Sequence, residues 1–213
     1  MRTAVLASGS GTNLQALIDT WKNGSLAPAE LVAVGANIPG CAALERAQKA
    51  GIETFVLSHK AFASRELFDG ALVAELRKRD VELVVLAGFM RVLTEVFLGA
   101  FPLRVINIHP ALLPAFHGTH GQKQAVDYGA KIAGCTVHFV DKGTDTGPII
   151  AQAAVPVLPD DSEDSLRERI LGEEHRLLPA VVRAVARGDV TVEGRHVRVR
   201  AAANNSDARL RSL

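Results

Sequence analysis

The chain has 213 residues, and its 24 Lys and Arg against 23 Asp and Glu leave a formal charge of +1. Single α/β domains reach about 200–250 residues, so this length fits one large domain with ample core, and a charge so near zero gives no general field for nucleic acid or an anionic membrane. Cys41 and Cys135 show neither CxxC nor Cys/His ligand spacing, which argues against a disulfide scaffold or a structural zinc module and for a reducing, cytoplasmic setting.

The first strand is predicted over 3–8 (TAVLAS), and it breaks into a Gly-rich turn too soon to be an export signal. A helix follows over 13–22, then a strand over 31–36 (LVAVGA), a helix over 41–50 and a strand over 53–57 (ETFVL). The next helix, over 64–79, has Ser64 where an N-cap belongs; Leu67, Leu72, Val73 and Leu76 fall on one stripe with charges opposite. Strands over 83–88 (LVVLAG) and 104–109 (RVINIH) complete the series. The longest dense apolar stretch, LVVLAGFM, is too short to span a bilayer. All five runs are apolar on both faces, as interior parallel strands are, and their alternation with helical periods is the pattern of repeated βαβ units.

Beyond Pro114 the pattern changes. A helix near 121–128 precedes two strand-like runs, 134–140 and 148–157, whose turn-rich DKGTDTG connection predicts an antiparallel pair. Ser162 with Glu163 and Asp164 opens a long helix to about residue 186, which Pro179 is expected to kink. The segment from 190 reads as one hairpin, since alternating Val and Arg (VRVR) suits a half-exposed strand better than an RNA-binding arm, and 201–213 reads as a flexible tail. The expected fold is α/β: a Rossmann-like open, mainly parallel sheet with helices on both faces and an antiparallel addition near the C-terminal half. It forms one domain with halves over 1–100 and 101–200.

Three places carry candidate chemistry. In ASGSGTNLQALI, Gly9 and Gly11 allow a tight turn after the first strand, and the N–H groups of Gly11, Thr12 and Asn13 sit at a helix N-terminus, where an anion is favoured. Leu14 stands where GxGxxG requires a third Gly, and no P-loop Lys follows, so a phosphate monoester fits better than NAD or ATP; a ligand-free turn capped by Asn13 is the alternative. Asn107 and His109 project from one face of the fifth strand at its carboxyl end, an amide donor beside an imidazole, suited to an oxyanion and to proton movement. They could equally satisfy buried backbone groups. Asp145 would raise the His109 pKa and fix its tautomer if the fold brought them together, and is otherwise a turn former. His117 and His120 lack a third ligand for a metal.

Taken together, SGSGTNLQALID, LAGFMRVL, INIHPALLPAF and GCTVHFVDKGTDTGPIIAQ resemble the phosphoribosylglycinamide formyltransferase family of purine biosynthesis, in order, from the first residue to about residue 179. The resemblance implies a seven-stranded, mainly parallel sheet with a mononucleotide-binding N-terminal half and a folate cleft at the strands' carboxyl ends. It implies catalytic roles for Asn107, His109 and Asp145, substrate contacts at Gly11, Thr12, Asn13 and Glu174, and 10-formyltetrahydrofolate contacts at Arg65, Met90, Arg91, Val92, Leu93, Asn107 and the loop ending at Asp145. No metal is implied. The implied partners are the two small-molecule substrates, with no nucleic acid or membrane, for a monomer or homodimer. The implied reaction is attack of the glycinamide ribonucleotide amine on the formyl carbon, the oxyanion being held by Asn107 and a protonated His109 that Asp145 keeps charged. Two residues depart from the family pattern: Leu171, where some members have Gln, and His117, where many have Pro. The nearest rival is formyltetrahydrofolate hydrolase, which normally carries an additional N-terminal regulatory domain, whereas this chain starts at the first strand. Methionyl-tRNA formyltransferase, a second rival, needs a C-terminal tRNA-binding domain and a basic face.

Overall fold

The computed structural model describes residues 1–200; the tail expected over 201–213 lies outside the described residues. Its α/β fold holds seven strands of one mixed, mostly parallel sheet and a separate two-stranded hairpin. The chain divides into two compact units, Met1–Asn107 and the part that begins at Ile108.

In the first unit, β1 (Arg2–Ala7), β2 (Glu30–Ala36), β3 (Glu53–Val56), β4 (Leu83–Leu86) and the start of β5 (Val105–His109) lie in the order β3-β2-β1-β4-β5, all parallel. Reversal of the strand order between β1 and β4 makes a switch point, where open sheets of this kind place ligands. The interior strands β1 and β4 are buried on both faces, as their aliphatic runs demand. β3 departs from that expectation. It is the edge strand, hydrogen-bonded on one side only, so Glu53 and Val56 face solvent and only Phe55 is buried.

The helices of this unit are α1 (Thr12–Lys22), α2 (Ala42–Lys49), α3 (Arg65–Arg77) and α4 (Glu95–Ala100). Ser64 caps α3 as its position implies, its hydroxyl accepting the Leu67 N–H at 3.2 Å. The buried stripe of α3 is Phe68, Leu72, Val73 and Leu76, with Asp69 beside it. Leu67, expected on that stripe, is 59% exposed, because five residues from Leu72 is about 140° off its direction at 3.6 residues per turn. A short 3-10 turn at His59–Ala61 and α4 escaped the sequence reading; α4 is under two turns long, too short to show a period.

In the second unit, α5 (Gly121–Tyr128) precedes the antiparallel pair β6 (Ile132–Phe139) and β7 (Ile149–Pro156). α6 (Glu163–Arg187) lies against both strands and buries Leu166, Ile170, Leu177, Leu178, Val181 and Val185. A capping box between Ser162 and Ser165 opens it, and it is one continuous helix through Pro179. β8 (Val190–Glu193) and β9 (His196–Val199) form the hairpin, alternately half-buried and exposed as VRVR implied. Among the described residues, no helix is long and apolar enough to cross a membrane.

Candidate active site

The Gly-rich turn is held from behind by α2. Gly11 is the N-cap of α1, with φ +70°, and a Cβ there would lie 2.7 Å from Ala43 Cα, so no other residue fits without displacing α2. The Ala43 N–H donates to Gly9 O at 3.1 Å and Arg46 Nε donates to Ser10 O at 2.8 Å. Two carbonyls of the turn are therefore engaged from the α2 side, while Thr12 and Asn13 begin α1, at the helix end whose dipole favours an anion. Asn13 lies inside the helix. It is not the cap that the ligand-free alternative required.

The proposed folate positions of this unit lie near the start of α3 and after β4. Arg65 is the first residue of α3 and is exposed. Asp69, one turn on and 1% exposed, accepts the Thr94 N–H at 2.6 Å, which ties the end of the 90–93 segment to the helix that carries Arg65. Met90 and Val92 are largely exposed, Arg91 is half-buried and Leu93 is buried.

Asn107 and His109 share one face of β5, Asn107 half-buried and His109 4% exposed. In the second unit the chain folds Asp145 onto His109, with Nδ1 3.3 Å from Oδ2. On the other side of the ring, Nε2 lies 2.9 Å from Phe116 O. A carbonyl only accepts, so the shorter contact places a proton on Nε2 and leaves Nδ1, facing the carboxylate, as the nitrogen that gains and loses one. Burial lowers the His109 pKa below its ordinary 6.5; the Phe116 carbonyl and the Asp145 charge oppose that shift without cancelling it, and His138 and His117 add to it. Asp145 therefore pushes the ring's pKa up, as expected of a neighbouring carboxylate, and desolvation pushes it down by more.

Asp145 has φ +55°, a left-handed conformation that Asp tolerates better than most residues. Burial alone would raise its carboxyl, but the neighbouring His138, the Gly118 N–H at 2.9 Å and the charge of His109 outweigh burial and hold it below its ordinary 3.8. His138, 2% exposed, has Nε2 3.7 Å from Oδ1. The loop is fastened at both ends: Asp141 accepts from Gly143 N and Thr146 Oγ1, and a Cβ on Gly147 would run into the Phe139 carbonyl. Arg195, between β8 and β9, donates to Thr146 O at 3.0 Å.

The loop that brings Phe116 to His109 is anchored by residues the sequence reading passed over. Thr136 and Gln152 are cross-strand partners on β6 and β7. The Thr136 hydroxyl donates to Ala111 O at 2.7 Å and accepts from Leu113 N, while Gln152 Nε2 donates to Leu113 O at 2.9 Å. No side-chain pattern announces a carbonyl such as that of Phe116, but a polar pair facing inward from two apolar strands was a readable signal. Glu174, the other proposed substrate contact, is buried on α6, 5% exposed. Among the described residues, no group of three or more His, Cys, Asp or Glu is arranged to hold a metal ion.

A buried imidazole and carboxylate pair beside an amide on an α/β sheet is equipment for acyl-type transfer, and the comparisons agree. The chain belongs to the formyl transferase family, whose model matches residues 1–182. It is 49% identical to the phosphoribosylglycinamide formyltransferase of Mycobacterium tuberculosis over 194 residues, covering 91% of this chain and 89% of that protein. It is 51% identical over 192 residues to the trifunctional purine biosynthetic protein adenosine-3 of Drosophila melanogaster, covering 90% of this chain and 14% of the length of that much longer protein. Among solved structures, glycinamide ribonucleotide transformylase 1 of Symbiobacterium toebii matches with a TM-score of 0.92 at 49% identity, over 94% of each chain. The phosphoribosylglycinamide formyltransferase of Anaplasma phagocytophilum matches with 0.87 at 39% identity, over 97% of this chain and 96% of that one.

Proposed function

We propose that this chain transfers the formyl group of 10-formyltetrahydrofolate to the primary amine of glycinamide ribonucleotide, giving formylglycinamide ribonucleotide and tetrahydrofolate. The observation that carries the proposal is the buried His109 and Asp145 pair, 3.3 Å apart, in a chain whose family match covers residues 1–182. The N-terminal unit, with Gly11, Thr12 and Asn13, binds the substrate phosphate through backbone N–H groups, and Glu174 contacts the same substrate. Arg65, Met90, Arg91, Val92 and Leu93 contact the folate.

The amine attacks the formyl carbon, and the carbonyl oxygen becomes an oxyanion. Asn107 donates its amide N–H to that oxygen, a stabilisation that grows only as the charge develops. His109 begins neutral, because burial favours that form, with one proton held on Nε2 by Phe116 O. Asp145 relays the proton the attacking nitrogen sheds, through water, to Nδ1 of His109, and the resulting imidazolium adds positive charge as the oxyanion forms. That proton is then returned toward the leaving nitrogen of tetrahydrofolate, so none is gained or lost overall. The enzyme works in the cytoplasm, as a monomer or homodimer.

The test is to mix the protein with 10-formyltetrahydrofolate, with and without glycinamide ribonucleotide, and follow loss of the formyl group. Loss that requires the amine supports transfer. Loss without it points to hydrolysis, and no loss in either case rejects both.

A further inference from the structure

A second polar system lies within the first unit. Four consecutive strands in the order β3-β2-β1-β4 end side by side, and beyond each carboxyl end stands a group that hydrogen-bonds to its neighbour. Ser8 follows β1 directly and Asn37 follows β2 directly; they are 7% and 3% exposed. Met90 N, beyond β4, donates to Ser8 Oγ at 2.9 Å; Ser8 Oγ donates to Asn37 Oδ1 at 2.6 Å; Asn37 Nδ2 lies 3.3 Å from Nδ1 of His59, beyond β3.

The direction of this chain follows from its first member. A backbone N–H only donates, so the Ser8 oxygen accepts from Met90 and its single proton goes to Asn37. The Asn37 oxygen is thereby committed, its NH₂ faces His59, and Nδ1 must accept, which places the His59 proton on Nε2. The Phe68 ring, 6.4 Å away and nearly perpendicular, stands beside the imidazole. A second hydrogen bond, Ser8 N to Gly88 O at 3.0 Å, fastens the same segment to β1. Ser8 therefore grips the backbone after β4 on both sides of Phe89, just where the exposed side chains of Met90 and Val92 begin.

We propose that Ser8, Asn37 and His59 are positioning residues that set the backbone of the 88–92 segment and so determine how tightly the formyl donor is held. The inference rests on the proposed function for the identity of that donor. It assigns these residues no contact with the reacting atoms; they act through Met90, so their loss weakens donor binding and spares the chemical step.

Two variants and two spectroscopic readouts test it. Ser8→Ala removes the acceptor of the Met90 N–H; amide exchange at Met90 should speed by about tenfold or more. The KM for 10-formyltetrahydrofolate should rise about three- to tenfold, with kcat and the KM for glycinamide ribonucleotide within about twofold of wild type. Asn37→Asp keeps the acceptor for Ser8 but presents an acceptor to His59. The ¹⁵N spectrum of that ring should then move from the Nε2–H form to one protonated at Nδ1, with Met90 still protected. A folded Ser8→Ala protein with unchanged Met90 exchange overturns the proposal, as does a wild-type His59 whose neutral ring carries its proton on Nδ1. That second measurement decides the matter should Ser8→Ala not fold. An unmoved donor KM in the face of faster Met90 exchange overturns the link to donor binding. Wild-type protein that transfers no formyl group would instead reject the proposed function, leaving the Met90 and His59 readouts as they stand.

Discussion

His109 Nδ1 and Asp145 Oδ2 face each other across 3.3 Å with their side chains 5% and 11% exposed, while the opposite ring nitrogen is held at 2.9 Å by Phe116 O. One nitrogen is fixed and the other is left to carry the mobile proton.

Replacing Asn107 or His109 by Ala should each lower kcat by about 10²–10³, the usual cost of losing one donor to a developing oxyanion. Binding of tetrahydrofolate, measured by titration calorimetry, should persist. A His109→Ala protein with wild-type turnover would remove the residue from the mechanism.

Stability should fall as the solution is acidified below the ordinary histidine range. The folded-state pKa of His109 is lowered from 6.5, so the unfolded chain binds the extra proton first, and stability present above pH 6.5 is lost as pH falls from there toward the folded pKa. Asp145 behaves as a depressed carboxylate: its contribution is present above 3.8 and is lost as pH falls through its folded value. Thermal melts from pH 8 to pH 5 should show Tm declining in wild type, with a shallower decline in His109→Gln.

Gly11→Ala should destabilise the protein by at least about 1–2 kcal/mol from the left-handed backbone alone, with the contact on Ala43, 2.7 Å from the added carbon, increasing the loss. The KM for the nucleotide substrate should rise more than that for the folate. Equal effects on both would detach this turn from the phosphate.

Arg195→Ala removes one exposed hydrogen bond to Thr146 O, so its stability cost should stay near or below about 1 kcal/mol. Because that carbonyl adjoins Asp145, the pH–rate profile should shift even where Tm does not. A profile that overlays wild type would make the contact incidental.

Much of this was legible beforehand, for identifiable reasons. Aliphatic runs marked the interior strands of the sheet, since a buried strand must be apolar along its length, and Asn107 with His109 stood out as polar residues on one face of such a run. The edge position of β3 was not legible, because strand order is a long-range property that ETFVL does not encode. Leu67 lies off the buried face because that face runs through Phe68, Leu72 and Leu76 at four-residue steps, which Leu67 does not share. The approach of Asp145 to His109 joins distant parts of the sequence, and the Phe116 carbonyl belongs to no side chain, so neither left a local trace. The sign of the His109 shift needed burial, which outweighs the neighbouring charge that the sequence did suggest.

The tight seat of Gly11 against Ala43 bears on how this protein can change over time. In the proposed phosphate site the donors between Gly9 and Asn13 are backbone N–H groups, common to every amino acid, and Gly11 admits no side chain without displacing α2. Selection therefore has little there with which to distinguish one phosphate ester from another. Discrimination between nucleotides has to be built elsewhere in the chain, and a relative that had changed its substrate should keep this turn almost unaltered.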